Sequence, residues 1–227
     1  MKVLLSYPRS GNHLVRFFIE FLSDQATYGC KDNPADCPAH QYQFPMKVPF
    51  QIKPAPRTSC YHKYHSMPAP QDGQVSELIV IVRNPREALI REQGLNLLTN
   101  KLPHDSKSSS ASYFAILDYY EAFKGRKLML FYEDIITRRR WFVKALCEFL
   151  QVNNPGKLRF VLDNIDRLYE ASHKATRPGR EPLNVSSGSL NFYYPALRQP
   201  FKAQFDKQLI AFTKNHPMIR RRYGINT

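Results

Sequence analysis

Arg9-Ser10-Gly11-Asn12-His13 is the first stretch of the chain whose residue types suggest chemistry. It stands between a short apolar run, Val3 to Leu5, that predicts a buried strand, and an apolar segment over 14–22 that predicts a helix. A tight turn leading from a strand into a helix gathers backbone N–H groups, and the helix dipole favours negative charge there. Arg9, Ser10, Asn12 and His13 add side-chain donors, and Gly11 lets the backbone approach a phosphate with no Cβ in the way. With one glycine and no following Lys-Ser or Lys-Thr, the stretch is not a Walker A loop. On its own it reads as an anion site or as an ordinary strand-to-helix turn with a solvated arginine.

Three further groups of this kind follow. Lys63 and His65 lie in a segment, 61–68, that predicts a short strand closed by Pro68. An imidazole titrates near neutral pH and can take a proton from an acceptor, while a lysine on the same strand face adds positive charge. His62, three residues before His65, falls on the opposite face. Arg83 ends the apolar run 78–82, and Tyr132-Glu133-Asp134 ends the apolar run that starts at Leu128. Each has a plainer reading: His65 as a structural histidine, Lys63 as a solvated lysine, Arg83 as a partner for a carboxylate and Tyr132 as core. Together they form four polar strand ends, three of them basic, and ligands of open parallel sheets sit at the carboxyl ends of the strands.

The elements that must position these residues alternate. Unbroken apolar character over 78–82 means burial on both faces, as in a parallel sheet. Helices are expected over 88–98, 112–123, 141–150, 157–171 and 201–214 from apolar residues at helical spacing. The pattern predicts an α/β fold of three layers with a mostly parallel central sheet, as a single domain over 1–227. Residues 24–60, punctuated by prolines and aromatics, and the Ser-rich 99–110 read as loops near the strand ends and frame an acceptor entrance.

Composition narrows the partner. The 227 residues carry 33 Lys plus Arg against 19 Asp plus Glu, a net charge of +14, which points to an anionic partner. No apolar run is long enough for a signal peptide or a membrane span, and a cytoplasmic location is expected. Of Cys30, Cys37, Cys60 and Cys147, the first two could pair, but no spacing fits a zinc site, and reduced thiols are expected. Arg138-Arg139-Arg140 and Arg220-Arg221-Arg222 read as solvated faces that could attract a polyanion, and no nucleic-acid recognition signature accompanies them.

Taken together and in this order, the motifs resemble those of the sulfotransferases that use 3′-phosphoadenosine 5′-phosphosulfate (PAPS). Tyr7-Pro8-Arg9-Ser10-Gly11-Asn12 resembles their 5′-phosphosulfate loop, a P-loop-like strand-turn-helix. Lys63-Tyr64-His65 resembles the segment with the catalytic histidine, and Arg83-Asn84-Pro85-Arg86-Glu87 the 3′-phosphate motif. Phe131-Tyr132-Glu133-Asp134 with Glu148-Phe149-Leu150 is similar to a further shared segment, so that the resemblance spans 3–152. It implies a PAPS-dependent enzyme with no metal, in which His65, Arg9 and Lys63 are catalytic. Ser10, Gly11, Asn12, His13, Arg83, Arg91 and Tyr132 would join Arg9 in binding the nucleotide. Arg9 stands where family members often have Lys, Arg91 where they usually have a phosphate-binding Ser, and Leu14 where a Trp often stacks on adenine. The family's C-terminal Arg-Lys-Gly loop has its nearest positional counterpart at Ser187-Gly188, with Arg177 and Arg180 able to supply charge. The acceptor stays open between a small molecule, a sugar and a lipid. A non-catalytic basic protein that binds nucleotides or nucleic acid is the alternative, since one fold serves many functions.

Overall fold

Four short strands make the centre of the molecule: β1 (Lys2–Ser6), β2 (Tyr61–Tyr64), β3 (Glu77–Val82) and β4 (Arg126–Phe131). They run parallel in the order β2-β1-β3-β4, with Leu4 opposite both Lys63 and Ile79, and Val82 opposite Phe131. The computed structural model describes residues 1–8, 10–28, 60–69, 73–92, 106–176, 193–196 and 199–225. Arg9, Cys30, Cys37, Arg177, Arg180, Ser187 and Gly188 lie outside the described residues, as do most of 24–60 and of 99–110.

Strand alternation explains why β1 and β3 are apolar throughout. Leu4, Ile79, Ile81 and Leu130 face one core, while Val3, Leu5, Leu78, Val80 and Val82 face a second core on the other side of the sheet. The first core is closed by α1 (Asn12–Ser23), α5 (Arg139–Phe149), α6 (Pro155–Asp163) and α7 (Ile165–Thr176), with the short α4 (Tyr132–Thr137) at its rim. The second is closed by α2 (Pro85–Glu92), α3 (Ser106–Ala122), α9 (Gln199–Phe212) and α10 (Pro217–Tyr223). The result is the expected three-layer α/β arrangement, with a four-stranded sheet that is parallel throughout the described residues.

The helix that follows β1 is buried almost all round, from Leu14 to Leu22. Phe18, fully buried, meets Phe142 edge-on at 5.4 Å and Tyr169 at 5.0 Å. Truncating such a ring to Ala typically costs about 3–5 kcal/mol. The same helix buries Arg16 and Glu20 completely, and Thr27 connects them. Arg16 Nε donates to Thr27 Oγ1 (2.8 Å), and Glu20 Oε1 accepts from both the Thr27 backbone N–H (2.9 Å) and its hydroxyl (2.5 Å). The beginning of the expected 24–60 loop is therefore packed chain: Tyr28 adds a parallel bridge to His62 at the sheet edge.

Several boundaries differ from expectation. Helix α3 starts at Ser106, so 106–110 is helical where a Ser-rich loop is expected; serine is tolerated in a helix, and Ser110 is fully buried. The helix expected over 157–171 is two helices broken at Asn164, whose side chain donates to the Phe160 carbonyl (2.9 Å) and ends the first. Tyr132 opens α4 instead of closing a strand, and α4, α10 and the short α8 (Tyr193–Ala196) arise where no helix is expected.

Arg86 binds the C-terminal layer to the end of β3. Its Nε donates to Asp206 (2.9 Å), its Nη1 to the Tyr223 carbonyl (2.7 Å), and its guanidinium lies over the Tyr194 ring at 4.8 Å. Asp206 also accepts from the Tyr194 hydroxyl. Completely buried Glu87 accepts from the Tyr194 backbone N–H (2.9 Å) and anchors α8.

Candidate functional site

The chain leaves β1 for β2 on one side and β3 for β4 on the other, so β1 and β3 are neighbours whose connections diverge. A crevice opens at the carboxyl ends of strands related in this way. The Tyr7–Gly11 turn and the Arg83-Asn84 turn both start there.

Gly11 precedes the first turn of α1 with φ +91°, a left-handed conformation suited to glycine. No side chain caps the helix at Gly11, and the hydroxyl of Ser10, 1% exposed, has no hydrogen-bond partner among the described residues. A helix of this length with an uncapped first turn and a buried unpartnered hydroxyl beside it fits an anion. Asn12 is turned inward: its Nδ2 donates to the Ser6 hydroxyl (3.0 Å), so it braces the turn from behind. His13 is exposed at the start of α1.

Gly11 also lies against Tyr132. A Cβ at Gly11 would meet the Tyr132 ring at 2.5 Å, and the Arg83 guanidinium covers that ring at 4.2 Å. Gly11, Tyr132 and Arg83, from the ends of three strands, thus form one stack. Arg83 is 4% exposed, and its backbone carbonyl accepts from the Tyr113 hydroxyl at 2.5 Å. Burial pulls the Arg83 guanidinium below its ordinary value; Tyr132 opposes that shift, and the positive charge of Arg91 adds to it. Arg91 itself bonds Glu87 at 3.5 Å from the last turn of α2.

His65 follows the last residue of β2, so strand alternation places His62 and Lys63 but not His65 itself. A hydrogen bond holds it: Nδ1 lies 2.8 Å from the Ser6 carbonyl oxygen. Because a carbonyl only accepts, Nδ1 carries the proton, and in the neutral ring the lone pair is then on Nε2. His62 faces a different environment, stacked on Tyr28 at 5.2 Å, with Nε2 4.0 Å from Cys60 Sγ. Lys63 sits on the strand face it shares with Tyr61, opposite Leu4 in register, half-buried.

Glu133 and Asp134, which follow Tyr132, are both engaged. Glu133 accepts from the Asn84 backbone N–H (2.9 Å) and the Tyr223 hydroxyl (2.7 Å), which fastens the β3–α2 turn to α10. Asp134 pairs with Arg222 at 2.8 Å, so one arginine of the C-terminal triplet is anchored and not simply solvated. Ser6, Tyr113 and Tyr223 support the site without belonging to any sequence motif. Ser6 alone leaves a signal, as the polar residue that ends an apolar strand.

A cavity of about 310 Å³ lies at the other end of the sheet, where Lys2 and Tyr61 start their strands, lined also by Asp24, Asn154 and Lys157. None of the expected site residues borders it. Among the described residues no cluster of His, Cys, Asp and Glu could hold a metal ion, and no helix is long and apolar enough to cross a membrane. No protein-family model matches the chain, and no curated protein matches it.

Proposed function

We propose that the chain is a sulfotransferase that moves a sulfuryl group from PAPS to a hydroxyl or amine acceptor. The observation that carries this reading is the Nδ1–Ser6 carbonyl bond of His65 at the carboxyl end of β1, which in the neutral imidazole leaves the lone pair on Nε2. A protein that only binds anions has no use for a base held in one tautomer there. The uncapped start of α1 and the buried Ser10 hydroxyl favour an anionic 5′ end of the nucleotide, held P-loop-like by Ser10, Gly11 and the first-turn N–H groups. Buried Arg83, stacked on Tyr132 beside the Gly11 turn, suits a 3′-phosphate.

PAPS would supply the sulfuryl group, its S–O bond to the 5′-phosphate breaking as the acceptor oxygen or nitrogen bonds to sulfur. His65 Nε2 takes the acceptor proton as the new bond forms. The electron pair of the broken bond stays on the leaving phosphate oxygen, where the charge of Arg9 meets it. Arg9 acts by charge alone, because a guanidinium keeps its protons at neutral pH. Lys63 adds positive charge on the β2 side.

The test is transfer from labelled PAPS to a panel of hydroxyl and amine acceptors. His65→Ala should bind nucleotide almost normally while transfer falls by about 10²–10⁴-fold. His62→Ala, committed to Tyr28 and Cys60, should stay near wild type. A folded His65→Ala protein that transfers at the wild-type rate would overturn the mechanism and leave the nucleotide-binding alternative.

A further inference from the structure

Asp134 of α4 anchors one arginine of the C-terminal triplet, four residues before the other triplet begins. The Arg222 guanidinium pairs with the Asp134 side chain at 2.8 Å, and the Arg138 backbone N–H donates to the Asp134 carbonyl at 2.8 Å. A single residue, Arg138, separates α4 from α5, so the chain turns a corner between two helices here. Trp141 stands on the corner, 40% exposed, with the Arg138 guanidinium 5.1 Å from its ring. Near it in the chain Arg138, Arg140 and Lys144 are exposed, and no carboxylate among the described residues pairs with any of them; Arg140 donates to the Leu162 carbonyl at 3.1 Å. An indole and three cations are thus exposed together at the start of α5.

We infer that this corner is a docking surface for an anionic membrane leaflet. Three features favour a lipid surface. Trp141 and the exposed cations beside it stand together at the start of one helix, where they can rest on a plane. Tryptophan partitions to the headgroup level of a bilayer, where its ring is part apolar and part hydrogen-bonding. Arginine and lysine near an anionic leaflet each strengthen binding about fivefold, and their aliphatic stems lie along the apolar layer as their charges reach the headgroups. A single-stranded nucleic acid would be better served by several aromatic platforms for successive bases, and the corner has one. The surface belongs to the β4 side of the sheet, with β2 and His65 at the other edge, so the docking does not depend on how the strand-end site is read.

Trp141 is the chain's one tryptophan, so indole emission from the full-length protein reports this corner alone. With vesicles of phosphatidylcholine containing about one-third phosphatidylserine, the emission should shift to the blue and the protein should co-sediment; pure phosphatidylcholine should produce neither. Raising the salt should reverse the binding. Arg138→Glu with Arg140→Glu should weaken partitioning by something on the order of tens of fold. Lys207→Glu with Lys214→Glu makes the same change in net charge on an exposed part of α9 and the turn after it, and should shift partitioning by no more than about twofold. Equal losses in the two pairs would overturn the inference, because net charge and not this corner would then be responsible. Sedimentation without an emission shift would overturn it too, since another face would be docking. An emission shift with dextran sulfate or a single-stranded oligonucleotide, and none with vesicles, would replace the membrane by a soluble polyanion.

Discussion

At Gly11 two constraints coincide. Its φ of +91° costs a residue with a side chain about 1–3 kcal/mol, and the Tyr132 ring fills the space where a Cβ would stand. Gly11→Ala should therefore destabilise the protein by more than either effect alone. In Gly11→Ala/Tyr132→Ala the contact is gone and only the backbone strain remains. The double mutant should lose less stability in urea than the two single losses combined, and simple additivity would show that the ring is not the obstacle. Arg83 carries the second prediction at this scale. The protein should bind 3′-phosphoadenosine 5′-phosphate more tightly than AMP, and Arg83→Ala should narrow that preference by about 1.5–3 kcal/mol in calorimetry. Since Arg83 also stacks on Tyr132, Arg83→Lys is the companion variant: it keeps the charge and should keep part of the preference. Equal affinity of the wild-type protein for the two nucleotides would place any 3′ site elsewhere.

Between elements, the C-terminal helices share the second core with the sheet and are also joined to it by a few specific polar groups. Arg86 alone touches Asp206 of α9, the end of α10 and Tyr194 of α8. In the sequence it belongs to the segment that resembles a nucleotide motif, yet its bonds are structural. Arg86→Ala should cost about 2–3 kcal/mol in denaturant unfolding and speed hydrogen exchange in α10. Arg86→Lys should recover only a small part, because one ammonium cannot reach both Asp206 and the Tyr223 carbonyl in a guanidinium's geometry. Protection of α10 unchanged in Arg86→Ala would mean that Glu133 and Tyr223 hold that helix unaided.

For the molecule as a whole, the buried phenols make a prediction about pH. Burial pushes Tyr61, Tyr113, Tyr169 and Tyr223 above the ordinary tyrosine value of 10.0, with Glu77 adding to the effect at Tyr61 and Glu133 at Tyr113 and Tyr223. In each the folded state favours the neutral phenol. A folded value raised above the unfolded one contributes stability that is fully present below about pH 10 and is lost as the pH rises past it. Phenolate absorbance of these residues should therefore appear together with loss of the far-ultraviolet circular dichroism in a single alkaline transition. Gradual phenolate formation with native dichroism retained would contradict this account.

What the sequence determines by itself is local. The unbroken apolar residues of 78–82 require a strand covered on both faces, and the turn at Gly11 between an apolar strand and an apolar helix follows from residue types alone. The alternation of such segments already implies a parallel α/β sheet. The strand order, with β1 beside β3, comes from the packing of two separate cores, and no single segment encodes it. Long-range contacts also decide which motif residues face the crevice. Arg86 and Glu87 are drawn into binding α8, α9 and α10, while Arg83 of the same motif joins Gly11 and Tyr132. His65 reads as a base from its type, but its tautomer depends on the Ser6 carbonyl of a neighbouring strand. The ion pair between Arg222 and Asp134 is likewise invisible along the chain. Periodicity and turn chemistry are short-range properties that each segment carries alone, whereas pairing, burial and charge partners depend on which segments the fold brings into contact.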